Sequence, residues 1–277
     1  MELFRSNGID RFDRCGTGYL GVNDALKVAR GLRTGVADLV FLDPPFNLGK
    51  DYGSAKVPES LGRDQYQAYI ERVIRECARI IKPGGSLFLY HLPYWASRFC
   101  PTLEENLEFR HWIAISMKSG FARGRYLYPA HYALLYFAKG VPTNFSRPVI
   151  DPPMCARCKR GLRDYGGYKG IIKQRGGVNL SDVWDDLSPV RHRSSKLRAS
   201  NQLPVKLTDR VMEIAGTAGG ILFDPFVGTG TSLVSAVKRG MAFVGNDLDG
   251  RSIEICRQRL ASAGGGLRCE QGNRIAV

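Results

Sequence analysis

Apolar residues along the chain alternate between two periods. Residues 37–42, Ala-Asp-Leu-Val-Phe-Leu, form a short and nearly continuous apolar run, the pattern of a strand buried on both faces. The run stops at Asp43-Pro44-Pro45, because two prolines cannot continue a central strand. Over 63–80 the period changes: Tyr66, Tyr69, Ile70, Val73, Ile74, Cys77 and Ile80 recur at helical spacing. Lys82-Pro83-Gly84-Gly85 stops that helix, and Ser86-Leu87-Phe88-Leu89-Tyr90 predicts another strand. Residues 111–117 and 132–138 predict two more strands, neighbours at one edge of a sheet. The rhythm resumes late in the chain, with a helix over 204–214 ended by Gly219-Gly220 and a strand over 221–223. A helix over 231–239, a strand over 242–245 and a helix over 251–260 follow. Strands alternating with helices in both halves predict the α/β class, with a doubly wound, mostly parallel sheet.

Between residues 139 and 200 neither period persists, and Gly and Pro are frequent, as in 147–153 and 164–170. This segment reads as an irregular inserted lobe. It divides the chain into 1–140, 141–200 and 201–277. Charge sharpens the division. The 277 residues carry 40 Lys+Arg against 26 Asp+Glu, a net of +14. Residues 139–200 hold 13 Lys/Arg and 5 Asp/Glu, so +8 of that surplus lies in the lobe. A concentrated positive surplus implies an anionic partner. Basic residues interleaved with Tyr165, Tyr168 and Trp184 suit phosphate pairing and base stacking, or else a solvated surface whose aromatics pack the lobe's own core.

A hydrophobic fraction of 44% excludes disorder as the main state. No run approaches the roughly 18 apolar residues of a membrane span, and the first residues lack an apolar signal core, so a cytoplasmic protein is expected. The 7 cysteines are odd in number and scattered, which argues against a disulfide framework. Cys155 and Cys158 have the spacing of half a zinc site, but no second pair lies near them in sequence, and no metal is expected. The 4 histidines, at 91, 111, 131 and 192, fit neither a metal-helix nor a nucleophile-base pattern. Arg191, Arg193, Lys196 and Arg198 are candidates for phosphate or guanine contacts.

Two motifs carry chemistry. Phe223-Asp224-Pro225-Phe226-Val227-Gly228-Thr229-Gly230-Thr231-Ser232 lies between a predicted strand and a predicted helix. Ligands of such sheets bind at the carboxyl ends of the strands, and glycines let a ligand approach the backbone. The loop lacks the third glycine of a dinucleotide fingerprint and the Lys of a phosphate-gripping loop. Asp247, 19 residues beyond Gly228, ends the next strand, where a carboxylate can accept from both ribose hydroxyls. Together they point to an adenosine-type cofactor; the alternative is a tight turn and a helix cap. The second motif is Asp43-Pro44-Pro45-Phe46-Asn47-Leu48-Gly49. The Asp43 carboxylate and the Pro44 carbonyl make a two-acceptor site for an exocyclic amino group, and Phe46 offers a face for a base.

These residues resemble the S-adenosylmethionine-dependent DNA amino-methyltransferases. Asp43-Pro44-Pro45-Phe46 resembles their catalytic motif, and Asp224, Phe226, Gly228, Thr229, Gly230 and Thr231 resemble their cofactor loop. The catalytic motif comes first, the basic segment second and the cofactor motif last. That order resembles the circularly permuted β class, in which the middle segment is the target-recognition domain. The stretch Ala199-Ser200-Asn201-Gln202-Leu203-Pro204 resembles the junction back into the catalytic fold. Leu203 stands where the family has Lys, and the resemblance places Asn201 among the cofactor contacts.

The resemblance implies a Rossmann-like fold, S-adenosylmethionine as cofactor and double-stranded DNA as partner. It also implies a homodimer, a cognate restriction endonuclease and a bacterial or phage-encoded protein of the cytoplasm, associated with the nucleoid. Asp at the first motif position implies adenine N6 as target. Cytosine N4, adenine N6 in RNA, and a non-catalytic DNA-binding relic are the alternatives.

Overall fold

The structure is a computed structural model that describes residues 3–4, 12–47, 61–116, 125, 127, 129–152, 161, 166–187, 202–263 and 267–270. The first half runs β1 (Phe12–Cys15), β2 (Gly18–Val22), α1 (Ala25–Gly31), β3 (Ala37–Leu42), α2 (Arg63–Ile80), β4 (Ile81–His91), α3 (Pro93–Glu104), β5 (Glu108–Ser116) and β6 (His131–Ala138). Next come β7 (Val149–Ile150), α4 (Tyr168–Arg175), β8 (Val178–Asn179) and β9 (Val183–Trp184). The chain closes with α5 (Val205–Ala215), β10 (Ile221–Asp224), α6 (Thr231–Lys238), β11 (Ala242–Asp247), α7 (Gly250–Ala263) and β12 (Cys269–Glu270). Among the described residues no helix is long and apolar enough to cross a membrane.

Ten strands form one sheet in the order β12-β1-β2-β11-β10-β3-β4-β6-β5-β9. Its centre, β2 to β4, is parallel, as the alternating pattern predicts. Antiparallel pairs flank it, β6 with β4 and β5 on one side, β1 with β2 and β12 on the other. Side chains alternate between two cores. Val40, Leu42, Leu87, Leu89 and Phe223 face one core with α1, α2 and α3; Leu39, Phe41, Phe88, Tyr90 and Leu222 face the other with α5, α6 and α7. The helical stripe read from sequence is the buried face of α2, with Tyr66, Ile70, Val73, Ile74, Cys77 and Ile80 inside.

The order reverses between β10 and β3. Strand β11 lies beyond β10 and strand β4 beyond β3, so the carboxyl ends of β3 and β10 flank a topological switch point, where α/β sheets bind ligands. The Asp38 carboxylate stitches this junction from the other end of the strands. It accepts from Lys82 Nζ at 2.7 Å and from the Ile221 backbone N–H at 2.8 Å.

Two boundaries and one cysteine pairing differ from the sequence reading. Helix α2 passes directly into β4, because Ile81 already pairs with Ala37; the register then shifts until Ser86 meets Leu39. Residues 82–85 are thus a bulge within the pairing, with Gly84 at φ 77°. Helix α5 ends at Gly216, where a side chain would meet the Met212 carbonyl at 2.6 Å and Met241 Sδ at 2.8 Å, rather than at Gly219-Gly220. Cys15 and Cys269 depart from the expectation of unpaired thiols. They are register partners on β1 and β12 and form a disulfide, a pairing that a sequence separation of 254 conceals.

Within residues 141–200, β7 and β8 pair antiparallel and α4 buries none of its residues. Strand β9 instead joins the main sheet beside β5. Its Trp184 is core rather than a platform for bases. The ring is 1% exposed, donates from Nε1 to the Ser181 carbonyl and lies under the Arg210 guanidinium. Arg210 grips Asp186 with two hydrogen bonds of 2.7 and 2.6 Å, which hold that carboxyl well below the usual carboxylate range. Tyr168 is exposed; Tyr165, Cys155, Cys158, Arg191, His192, Arg193, Lys196 and Arg198 lie outside the described residues.

Asp38→Ala removes the shared acceptor at the switch point and leaves the Ile221 N–H unpaired. Thermal and urea unfolding should show a loss of about 1–3 kcal/mol. Lys82→Ala should lose less, because the half-exposed ammonium rehydrates.

Candidate active site

The switch point opens into a small cleft. Asp43, just past β3, lines it from one side. Asp224, Phe226, Gly228, Thr229 and Thr231, just past β10, line the other, and Gln202 and Leu203 close it. Asn201, the junction residue expected at the cofactor, lies outside the described residues.

The loop after β10 is shaped by buried polar groups. Asp224 is 2% exposed and turned inward, accepting from the Phe226 N–H at 2.9 Å and from the Ser232 hydroxyl. Burial pushes its carboxyl up to about 7 against the pull of these two hydrogen bonds, and the Asp247 charge adds to the rise. Gly228 and Gly230 take left-handed φ of 51° and 82°. At Gly230 a Cβ would also lie 2.3 Å from Cys256 Sγ, so no side chain fits. Asp247 at the end of β11 accepts from the Gly228 N–H at 2.8 Å and from the Asp249 N–H at 2.9 Å. From α7, Arg259 reaches the Thr229 carbonyl at 2.7 Å and the Thr231 hydroxyl at 3.1 Å. The cofactor residues expected from sequence, Asn201 apart, therefore form one connected loop. The carboxylate of Asp224 and the hydroxyls of Thr229 and Thr231 are engaged in holding it.

On the other side, Pro44 is buried, and the Pro45 carbonyl accepts from the Tyr66 hydroxyl. Phe46 is 5% exposed, more enclosed than a bare stacking face. Its ring stacks on His91 at 4.9 Å and leans on Tyr132 at 5.7 Å and Tyr90 at 5.9 Å. Burial first, and then the nearby Asp43 charge, push the phenols of Tyr90 and Tyr132 up, so both stay protonated. His91 accepts from the Leu92 N–H at Nδ1, 2.8 Å, and contacts Tyr66 Oη through Nε2, 2.7 Å. Burial pushes its imidazole down to about 3.

Tyr66, His91, Tyr90, Tyr132 and Arg259 are not in the motifs. One signal was present for two of them: Tyr90 and His91 end β4, the parallel strand beside β3, and strand carboxyl ends carry function in this architecture. Among the described residues no cluster of His, Cys, Asp and Glu suits a metal ion.

Residues 37–258 match the DNA methylase family, a span from β3 to α7 that holds both lips of the cleft. The chain belongs to this DNA methylase family. The chain is 40% identical over 244 residues to the Type II methyltransferase M.BamHI of Bacillus amyloliquefaciens, covering 88% of this chain and 57% of the relative. It is 29% identical to the Type II methyltransferase M.HpaI of Haemophilus parainfluenzae, covering 87% and 73%. The chain thus spans little more than half the length of the first of these relatives. Among solved structures, a DNA modification methylase of Thermus thermophilus, complexed with S-adenosyl-L-methionine, superposes with a TM-score of 0.62 at 18% identity, covering 92% of this chain and 98% of that one. At that identity the likeness shows the fold alone.

His91 gives the fold a pH signature. Its folded value of about 3 lies below the ordinary 6.5, so between these values the unfolded chain binds more protons. Its contribution is fully present above pH 6.5 and is lost as pH falls towards 3. Urea titrations at pH 6.5 and 5 should show wild-type stability falling between them, and His91→Gln should flatten that fall by about 2 kcal/mol.

Proposed function

We propose that this chain methylates the exocyclic amino group of a base flipped out of duplex DNA, with S-adenosylmethionine as methyl donor and adenine N6 as the first target. One observation carries the reading: Asp43 and the Asp224–Thr231 loop, far apart in sequence, line one cleft at the switch point. The residues fit the cofactor. Gly228 lines the cleft without a side chain, and Asp247 sits at the strand end suited to ribose hydroxyls. Asp247 already holds the Gly228 N–H, so one carboxylate would serve both loop and ribose.

When bound, the cofactor supplies an electrophilic methyl on a sulfonium. The protein's part is orientation and charge. A base inside a duplex cannot reach a recessed cleft, so the target nucleotide must leave the stack. Asp43 and the Pro44 carbonyl accept the two amino hydrogens, which turns the nitrogen lone pair out of conjugation. The Asp43 carboxylate would offset the positive charge arising on the amino nitrogen as it takes the methyl group. The displaced proton leaves through Asp43, directly or by way of water. Phe46, Tyr90 and Tyr132 wall the base site with protonated, uncharged rings. Because Phe46 is nearly buried, base entry requires its aromatic neighbours to give way.

The basic segment 141–200 would hold and read the DNA, as the target-recognition part of a catalytic body formed by 1–140 and 201–277. A bacterial cytoplasm, a homodimer and a cognate restriction endonuclease are consistent with two relatives named as Type II methyltransferases. Cytosine N4 is the second reading, since the acceptor pair at Asp43 and Pro44 meets the same –NH2 group on either base.

Incubation with labelled cofactor, followed by mass spectrometry of nucleosides from DNA and RNA, separates these readings. N6-methyl-2′-deoxyadenosine from DNA is expected; N4-methyl-2′-deoxycytidine supports the second reading, and label in RNA alone or nowhere rejects both. Asp43→Ala should abolish transfer while filter binding to DNA stays within about twofold. In calorimetry, Asp247→Ala should weaken cofactor binding at least about tenfold, with DNA affinity nearly unchanged.

A further inference from the structure

Behind the Asp-Pro-Pro-Phe segment lies a hydrogen-bond chain with a fixed direction. The Leu92 N–H donates to His91 Nδ1 at 2.8 Å, so that nitrogen is the acceptor of a neutral imidazole and the proton sits on Nε2. Nε2 is 2.7 Å from Tyr66 Oη and donates to it. The Tyr66 hydroxyl is then left to donate its own proton to the Pro45 carbonyl. Tyr66 and His91 are both 0% exposed, and Trp95 and Phe99 pack around them. Burial keeps the imidazole neutral at any pH near 7, so the direction of the chain does not switch.

The chain ends where it matters for backbone geometry. The relation between the Pro44 and Pro45 peptide groups depends on φ and ψ of Pro45. The ring locks φ, and a hydrogen bond that aims the Pro45 carbonyl locks ψ. On the far side of that carbonyl, the Phe46 ring stacks on the same imidazole at 4.9 Å and 29°. One buried pair thus holds the acceptor backbone and the aromatic wall of the base site from behind.

We propose that Tyr66 and His91 are positioning residues for methyl transfer, fixing the Pro44 carbonyl and the Phe46 ring relative to Asp43 without touching either substrate. The inference rests on the methyl-transfer reading above. Misplacement of a catalytic group by about 1 Å is enough to slow a reaction on the order of a hundredfold.

The test is steady-state transfer of labelled methyl to DNA by the full chain. Tyr66→Phe deletes one hydroxyl and keeps the packing. It should lower kcat about ten- to a hundredfold, with KM for DNA, cofactor affinity and thermal midpoint close to wild type. His91→Leu should fall equally, the double variant should be no worse than either single one, and His91→Gln, which keeps a donor towards Tyr66, should recover part of the rate. A kcat within twofold of wild type in folded Tyr66→Phe or His91→Leu overturns the proposal. So does a rate loss matched by an equal loss of cofactor or DNA affinity. Wild type that transfers no methyl group defeats the underlying reading instead, a result distinct from an active wild type with indifferent variants.

Discussion

The pairing of β3 with β10 is the constraint on which the rest of the molecule depends. Leu39 and Val40 lie beside Leu222 and Phe223 in parallel register, so the chain leaves both strands at the same end of the sheet. Everything proposed for the site follows from that adjacency. The Asp43 turn and the Asp224 turn become two lips of one cleft, although Asp38 and Ile221, bonded at the other end of the same junction, are 183 positions apart. Had β10 paired elsewhere, each motif would remain a local turn with no shared cavity.

Each lip is then made rigid by polar groups that face inward. On the lip after β10, Asp224 ties Phe226 to Ser232, Asp247 ties Gly228, and Arg259 ties Thr229 and Thr231. On the lip after β3, Tyr66 ties Pro45, and His91 supports both Tyr66 and Phe46. Unpaired, such groups would destabilise a buried site by a few kcal/mol each; paired, they specify one backbone path. The displaced ionisation of Asp224 and His91 reflects the same choice, a dry scaffold under a cleft that stays open to ligands.

What could be read in the sequence was what is contiguous. Strand β3 and helix α2 were read to the residue, because an apolar run closed by Pro-Pro and a seven-member helical stripe are local signals. Both motifs were visible for the same reason. The hairpin β1–β2 was not, since part of its packing is supplied from elsewhere: Gly18 leaves room for the Phe243 ring of β11. Helix α3 hides behind Pro93 at its first turn and Pro101 within it, residues that read as breakers. Tyr66, His91, Tyr90, Tyr132 and Arg259 come from separate elements and acquire meaning only when the sheet is assembled. Trp184 shows the opposite failure, a residue whose company suggested base stacking and whose place is the core.

The late arrival of β10 has a consequence for the chain while it is being made. Strands β3 and β4 are complete long before residue 221 is synthesised, so β3 waits with one edge unpaired. An open apolar edge is a template for pairing with another unfinished chain. Asp38 is the single charged residue in Ala37–Leu42. Until Ile221 donates to it, the Asp38 carboxylate and its Lys82 partner keep charge at the waiting edge, the role of a gatekeeper against aggregation. The group that locks the finished sheet is the one that protects the unfinished one.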